Sequence, residues 1–263
     1  MPARPVRSDR LSMTRSRGEA ASGLGIDEIA AGLDGGPGFV SVEGARLRAM
    51  LGEASLDEWG AFTESWNHLE IDRYMADGGR FRRRRYARFR TEDGRIVQEP
   101  HGPHFQSVEY NRLNGGVDRW FEPVTEAIAS HPLTARLLTI CHEVFGAASG
   151  ASANRPAFKV EMHQFRIEPT ATEIGKPTPE GKHRDGVDWV FVGLIARTGV
   201  AGGVTGIFDE RGDSLGAFTL SGPLDAVFLD DRRVRHGVTP IEVRDAGQPA
   251  YRDVLVLTFR GAA

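Results

Sequence analysis

"HRDGVDWVF", residues 183–191, decides between two unrelated folds. Its first three letters head the catalytic loop of protein kinases, while His-x-Asp is also the spacing of a metal site. A kinase needs Asn five residues beyond the Asp to hold a second metal ion, and position 190 is Val. A kinase also needs a glycine-rich loop and a strand lysine upstream of the phosphates. Lysine occurs here only at 159, 176 and 182, with no G-x-G-x-x-G ahead of it and no Asp-Phe-Gly after it. The kinase reading fails on each count.

The metal reading needs partners, and the sequence supplies them in order. Residues two apart on a strand point to one face, so His183 and Asp185 can reach one ion. Downstream, "VFLDDRRVRHGVTPIEV" (227–243) places His236 just before another strand. Two imidazoles and a carboxylate form the facial triad of non-haem Fe(II) oxygenases, which leaves positions open for a chelating co-substrate and O2. The natural chelator is 2-oxoglutarate, whose far carboxylate needs a cation, and the planar fork of Arg matches a carboxylate with two hydrogen bonds. Arg252 stands at the head of the last strand pattern, "RDVLVLTFR" (252–260). By alternation Arg252, Val254, Val256, Thr258 and Arg260 share a face, so Arg260 is a second candidate for the same carboxylate.

Working outward, strand patterns dominate after about residue 148: 157–167, 188–196, 204–209, 215–220, 225–230, 237–243 and 252–260. Many short strands without intervening helices argue for an antiparallel sandwich or barrel. Helical patterns dominate before it. In "SLDEWGAFTESWNHLEID" (55–72) a capping box at Ser55 and Glu58 precedes a one-sided stripe of Leu56, Trp59, Phe62, Trp66 and Leu69. Residues 116–146 read as two helices broken near Ser130, with Pro132 in a first turn. Residues 80–99 read as two strands joined by a turn at Glu92-Asp93-Gly94. The expected organisation is a flexible tail over 1–25, with Met13 a second candidate start, and one domain over 26–263. In that domain a helical support (about 26–148) buttresses a strand core (about 156–261).

The chain of 263 residues is 40% hydrophobic and 26% charged, as an ordinary globular protein is. Its longest apolar run, "WVFVGLIA" (189–196), is far too short to span a bilayer, which needs about 20 residues. The single cysteine, Cys141, excludes an internal disulfide framework and fits a reducing compartment, so a cytoplasmic location is expected. A net charge of -3 offers no general field for nucleic acid. "RFRRRRYARFR" (80–90) is the local exception: either a strand with a basic, solvated face or an aromatic and basic surface for single strands.

The blocks "RRRRYARF", "PHFQSVEYNRLNGGVDRWFEP", "HQFRI", "HRDGVDWVFVGLI", "LDDRRVRHGVTPI" and "YRDVLVLTF" together resemble the Fe(II)/2-oxoglutarate-dependent dioxygenase superfamily. The resemblance is strongest to the group of bacterial L-isoleucine 4-hydroxylase-like amino-acid hydroxylases. It implies a mainly β fold with flanking helices, a double-stranded β-helix or cupin-like distorted jelly roll. It implies Fe(II) on His183, Asp185 and His236, and 2-oxoglutarate on Arg252. The implied reaction consumes 2-oxoglutarate and O2, yields succinate and CO2, and hydroxylates an aliphatic C–H of a free L-amino acid. Ascorbate is expected to support activity in vitro.

On the substrate side, Gln106 and Asn111 in the polar, glycine-rich stretch 100–116 are candidate contacts at the mouth of the site. Gln164 and Arg166 share one face of strand 157–167, either binding a carboxylate or, for Arg166, pairing in the core. Trp189 either walls the pocket or fills the core. His101 and His104 form a weak second metal pair, since no carboxylate or cysteine beside them completes a site. The partner is therefore a small molecule, with no nucleic acid and no membrane expected. The rivals are the same chemistry on an amino-acid derivative, a basic amino acid or a nucleic-acid base, and a non-catalytic cupin-like metal-binding protein. Nothing in the sequence specifies an oligomeric state.

Overall fold

The last strand sorts its residues between two environments. In β13 (Tyr251–Gly261) Arg252, Val254, Val256, Thr258 and Arg260 line an interior cavity, while Leu255, Leu257 and Phe259 join the main hydrophobic core on the other side. This period of two is what a strand between two layers imposes. The computed structural model describes residues 23–92, 95–111, 113–150 and 156–262.

The remaining strands are β1 (Phe39–Val42), β2 (Glu70–Ile71), β3 (Arg82–Glu92), β4 (Arg95–Gln98), β5 (Phe158–Ile167), β6 (Trp189–Thr198), β7 (Val200–Gly202), β8 (Thr205–Phe208), β9 (Ser214–Phe218), β10 (Ala226–Asp230), β11 (Arg235–Val238) and β12 (Ile241–Val243). The large sheet is antiparallel in the order β1-β10-β6-β13-β5-β3-β2, with β4 on β3. Smaller sheets, β11-β8-β9 and β12-β7, lie opposite its inner face, and the cavity is lined from both sides. This is the double-stranded β-helix that the resemblance implies. Register across the large sheet aligns Arg252 with Ile167, Val254 with Phe165, Val256 with His163 and Thr258 with Glu161. It also aligns Ile167 with Arg82, Phe165 with Arg84 and His163 with Tyr86, so three strands deliver their polar residues to one interior.

The outer face is covered by α1 (Gly23–Asp34) and α6 (Pro132–Ala148). One continuous core runs from Ile29 and Leu33 through Leu137, Cys141 and Phe145 to Phe158, Phe228 and Phe259. Each such large apolar side chain contributes roughly 1.5–3 kcal/mol on burial. Trp189 belongs here and not in the cavity. Its ring stacks on Phe145 at 5.4 Å and is 1% exposed, because its position in β6 has the outward parity of Phe191. No described helix is long and apolar enough to cross a membrane.

Three expected elements differ. The helix over 55–72 is instead α3 (Glu53–Leu56), α4 (Trp59–Glu64), a 3-10 turn (Ser65–His68) and β2. Ser55 forms no capping box, since its hydroxyl donates to Leu51 O (2.8 Å) and Gly52 O (3.0 Å). The apolar stripe survives, and the Trp66 indole donates to Phe165 O (3.1 Å) and Val254 O (3.3 Å) of the sheet. Residues 116–125 are not helical, with Tyr86 bridging Pro123, and helix begins only at α5 (Glu126–Ala129). The strand expected over 237–243 divides into β11 and β12 around Pro240, which has no N–H to give a ladder. Of the expected tail, all but residues 23–25, which open α1, lies outside the described residues, as do Asp93 and Gly94 of the expected turn.

Candidate metal centre and its cavity

His183 and His236 face each other across a two-residue antiparallel bridge, with His183 N to His236 O and His236 N to His183 O both at 2.9 Å. Their ring centroids are 4.4 Å apart. Asp185 completes the group, with Oδ1 3.5 Å from His183 Nε2 and Oδ2 3.6 Å from His236 Nε2. His183 Nδ1 lies 3.0 Å from Gly181 O, which can only accept, so this nitrogen carries a proton and Nε2 is the atom that would ligate an ion.

The turn that carries Asp185 is held from below by Asp231. Its carboxylate accepts the backbone N–H of Asp185 (3.0 Å), Gly186 (2.8 Å) and Val187 (3.2 Å). Gly186 sits at φ 77°, where a side chain is strained, and a Cβ would also run into the Tyr110 ring. Asp231 lies five residues before His236 in the stretch quoted from the sequence, but only the fold reveals its role. Burial pushes the Asp231 carboxyl up to about 7, aided by the Asp185 charge. Asp185 is held below its usual range: burial raises it, but His183 and His236 outweigh burial. Burial lowers both imidazoles. For His183 the Asp185 and Glu180 carboxylates overcome it and raise the group to about 9, while His236 falls to about 4.

The triad opens onto a cleft of about 1150 Å3, counting its mouth. Arg252 stands in its wall, paired in register with Ile167 of β5. It is 2% exposed, and its Nε and Nη2 have no hydrogen-bond partner. A guanidinium kept dry and unpartnered calls for a carboxylate. Arg260 shares the face but not the surroundings. It lies eight residues further along the strand, roughly 26 Å at about 3.3 Å per residue, and donates to Gly186 O at the exposed mouth.

Gln106 and Asn111 line the cleft as expected. Gln106 Nε2 donates to Asp185 O (3.1 Å) and Asn111 Nδ2 to Gln106 Oε1 (3.1 Å). Gln164 and Arg166 do not line it. They point to the outer side of β5, where Gln164 donates to Ser65 Oγ (2.8 Å) and Arg166 makes two 2.7 Å bonds to Asp253.

Other cleft residues have surroundings that their local sequence does not give. Arg82 and Arg84 of the Arg-rich strand are buried, 6% and 4% exposed, and line the cleft around Asp72, while Arg83 and Arg85 turn outward. The strand therefore divides its arginines, Arg82 and Arg84 to the interior and Arg83 and Arg85 to a half-buried outer face. His104 is not paired with His101, which is exposed and packs on Trp120. It has the carboxylate companion that sequence lacked: His104, Glu161 and His163 form a second cluster with potential ligand atoms within 4.8 Å, as do His183, Asp185 and His236. The one local signal was parity, which places Arg82, Arg84 and Tyr86 on one face and Glu161 and His163 on another.

A family model described as 2OG-Fe dioxygenase matches residues 63–258. The chain belongs to the 2OG-Fe dioxygenase family. It is thus an oxidoreductase of a family whose chemistry implies Fe(II), 2-oxoglutarate and O2. It is 27% identical over 212 residues to the 3(1)-hydroxy-L-isoleucine 4-dioxygenase of Pantoea ananatis (strain AJ13355), covering 79% of this chain and 83% of that one. It is 25% identical over 214 residues to the L-isoleucine-4-hydroxylase of Bacillus thuringiensis, covering 80% and 83%. Among solved structures, a BsmA homologue from Methylobium petroleophilum PM1 superposes with a TM-score of 0.78 at 35% identity, covering 90% of this dioxygenase and 93% of the homologue. IDO from Bacillus thuringiensis shares the fold, with a TM-score of 0.75 at 20% identity and coverage of 90% and 100%.

Proposed function

We propose that this dioxygenase hydroxylates an aliphatic C–H of a free L-amino acid, with His183, Asp185 and His236 holding Fe(II) and Arg252 holding the far carboxylate of 2-oxoglutarate. The observation that carries the reading is Arg252, a buried cation with two unpartnered nitrogens in the cleft onto which the triad opens. The donor set fits the ion, being two imidazole nitrogens and a carboxylate oxygen with an open cleft before them. Two curated relatives are named for isoleucine or its hydroxylated form, which supports an amino-acid substrate.

Fe(II) bound there supplies the redox chemistry that couples decarboxylation of 2-oxoglutarate to insertion of one oxygen into the substrate. The balance is substrate C–H, O2 and 2-oxoglutarate in, and substrate C–OH, succinate and CO2 out. The protein's own task is placement. Gly181 O fixes the His183 tautomer, Asp231 sets the turn of Asp185, and Gln106 ties that turn to the segment over the mouth. Val187, Val192, Val256 and Leu229 give the cleft an apolar wall that excludes water and suits an aliphatic side chain. A mass-spectrometric screen of the standard L-amino acids with Fe(II), ascorbate and 2-oxoglutarate tests the reading. One substrate gaining one oxygen is expected, and no gain on any of them removes it.

A further inference from the structure

Beside the triad, the cleft holds charges that neither the iron nor 2-oxoglutarate uses. Arg82 Nη2 is bound to Asp72 at 2.7 Å. Arg84 is occupied as well: Nη1 lies 3.6 Å from Asp72, Nη2 donates to His163 Nδ1 at 2.7 Å, and the guanidinium lies over the Phe121 and Phe165 rings at 3.6 and 4.5 Å. Arg119 differs. It is 2% exposed and lines the cleft, and among the described residues its side chain makes one hydrogen bond, Nη2 to Gln106 Oε1 at 3.3 Å, with Nε unpartnered as it also is in Arg84. It has no ion-pair partner among the described residues. Arg119 therefore keeps buried donor capacity facing the cleft, which a ligand carboxylate can take up.

Glu161 is the complementary half. Tyr86 Oη donates to its Oε1 at 2.5 Å and His104 Nδ1 to the same oxygen at 3.2 Å. Oε2 takes neither bond, and the side chain is 28% exposed. The two halves are neighbours, since His104 and Arg119 are bridge partners with mutual N–H to O bonds of 2.9 and 3.0 Å. Side chains paired in this way project to one side, and both line the cleft. A second divalent ion on His104, Glu161 and His163 is disfavoured by Arg84, which uses His163 Nδ1, and by the neighbouring cations.

We infer that Arg119 binds the α-carboxylate and Glu161 the α-ammonium of the amino-acid substrate, so that the enzyme reads a zwitterion. This rests on the amino-acid reading above. Gln106 joins Arg119 to the Asp185 carbonyl, so the clamp stands one side chain from the triad, and the substrate's own side chain is left to reach toward the metal.

The test takes the L-amino acid turned over fastest in the screen, its Nα-acetyl derivative and its carboxamide, with wild type, Glu161→Gln and Arg119→Met. Wild type should lose at least 100-fold in kcat/KM on either capped compound. Glu161→Gln should raise KM for the free amino acid at least tenfold, with a smaller change in kcat, and should erase most of the discrimination against the acetylated amine only. Arg119→Met should do the same for the carboxamide only. Calorimetric titration with Fe(II) and 2-oxoglutarate present and O2 withheld should show the same losses as binding. Equal losses on all three compounds in each variant, or wild type accepting capped compounds as well as free ones, overturns the clamp and leaves the amino-acid reading standing. The wild-type comparison decides even where a variant fails to fold. A screen in which no amino acid gains oxygen overturns both.

Discussion

His183 and His236 are each other's backbone partners, each donating its N–H to the other's carbonyl at 2.9 Å. The bond that sets their separation is therefore made by main chain and not by the rings. His183→Ala should keep this bridge and the fold while removing one donor to the ion. Stoichiometric Fe(II) or Mn(II) binding should disappear with the melting temperature shifted by only a few degrees. Hydroxylation by the variant at wild-type level would take the triad out of the mechanism.

Asp231 is the element beneath that pair. Asp231→Ala strands three backbone N–H donors at Asp185, Gly186 and Val187, where a buried donor left unpaired costs about 1–3 kcal/mol. Some will find water, so a net loss of about 2–4 kcal/mol is expected, together with a 10–100-fold weaker metal site, as for other groups that orient ligands. Denaturant melts and metal titration check the two separately. Weaker metal binding without lost stability would mean that Asp231 tunes charge and does not hold the turn.

What local pattern can show here is parity and order. His183 and Asp185 are two apart, His236 precedes a strand, and Arg252 heads the last one, so one-dimensional reasoning reaches all four. Parity also divided β5 correctly, though which face met the cavity needed register, and that is why Gln164, Arg166 and Trp189 turned out to be outer-face residues. Asp72, Arg119 and Asp231 act through contacts across the fold: Asp231 holds a turn 46 residues away, and Arg119 enters the cleft through its bridge to His104. The stretch 55–72 shows the reverse. Its stripe is right, but Trp66 anchors to carbonyls 99 and 188 residues distant, and tertiary bonding breaks the helix its periodicity predicts.

Metal binding should release a proton at neutral pH. Without the ion, Asp185 and Glu180 outweigh burial and hold His183 up at about 9, so its Nε2 is protonated at pH 7 and must lose that proton to ligate. His236, lowered to about 4, releases none there. Apparent Mn(II) affinity should rise by about tenfold per pH unit from 7 toward 9 and flatten above it. Calorimetry in two buffers of different ionisation enthalpy counts the protons, and a value near zero contradicts the assignment.

Arg166 and Asp253 pair on the outer face by two 2.7 Å bonds, with Arg166 also over the Tyr251 ring at 4.2 Å. Removing Asp253 leaves the buried Arg166 only its longer 3.9 Å contact to Glu168, so Asp253→Ala should destabilise by about 3 kcal/mol, the low end for a broken buried pair. Since the pair does not line the cleft, KM for 2-oxoglutarate in the protein that remains folded should move less than threefold. A large KM effect would mean that the adjacent Arg252 is positioned by this pair.

Arg252 and Arg260 offer the sharpest comparison, because both lie on the cavity face of one strand and only one is unpartnered. Arg252 is buried, lowered to about 10 by burial and by Arg197, and has two free nitrogens. Arg252→Met should raise KM for 2-oxoglutarate at least 100-fold, since a charged pair lost from a buried site is worth about 2–5 kcal/mol. Arg252→Lys should recover little, because a single ammonium cannot reproduce a two-pronged fork. Arg260 is exposed and its Nη2 already donates to Gly186 O, so Arg260→Met should leave KM for 2-oxoglutarate within about threefold and act, if at all, through the Gly186 turn. Initial-rate assays of succinate formation across 2-oxoglutarate concentrations separate the two. A larger KM rise from Arg260→Met than from Arg252→Met would move the co-substrate to the mouth of the cleft.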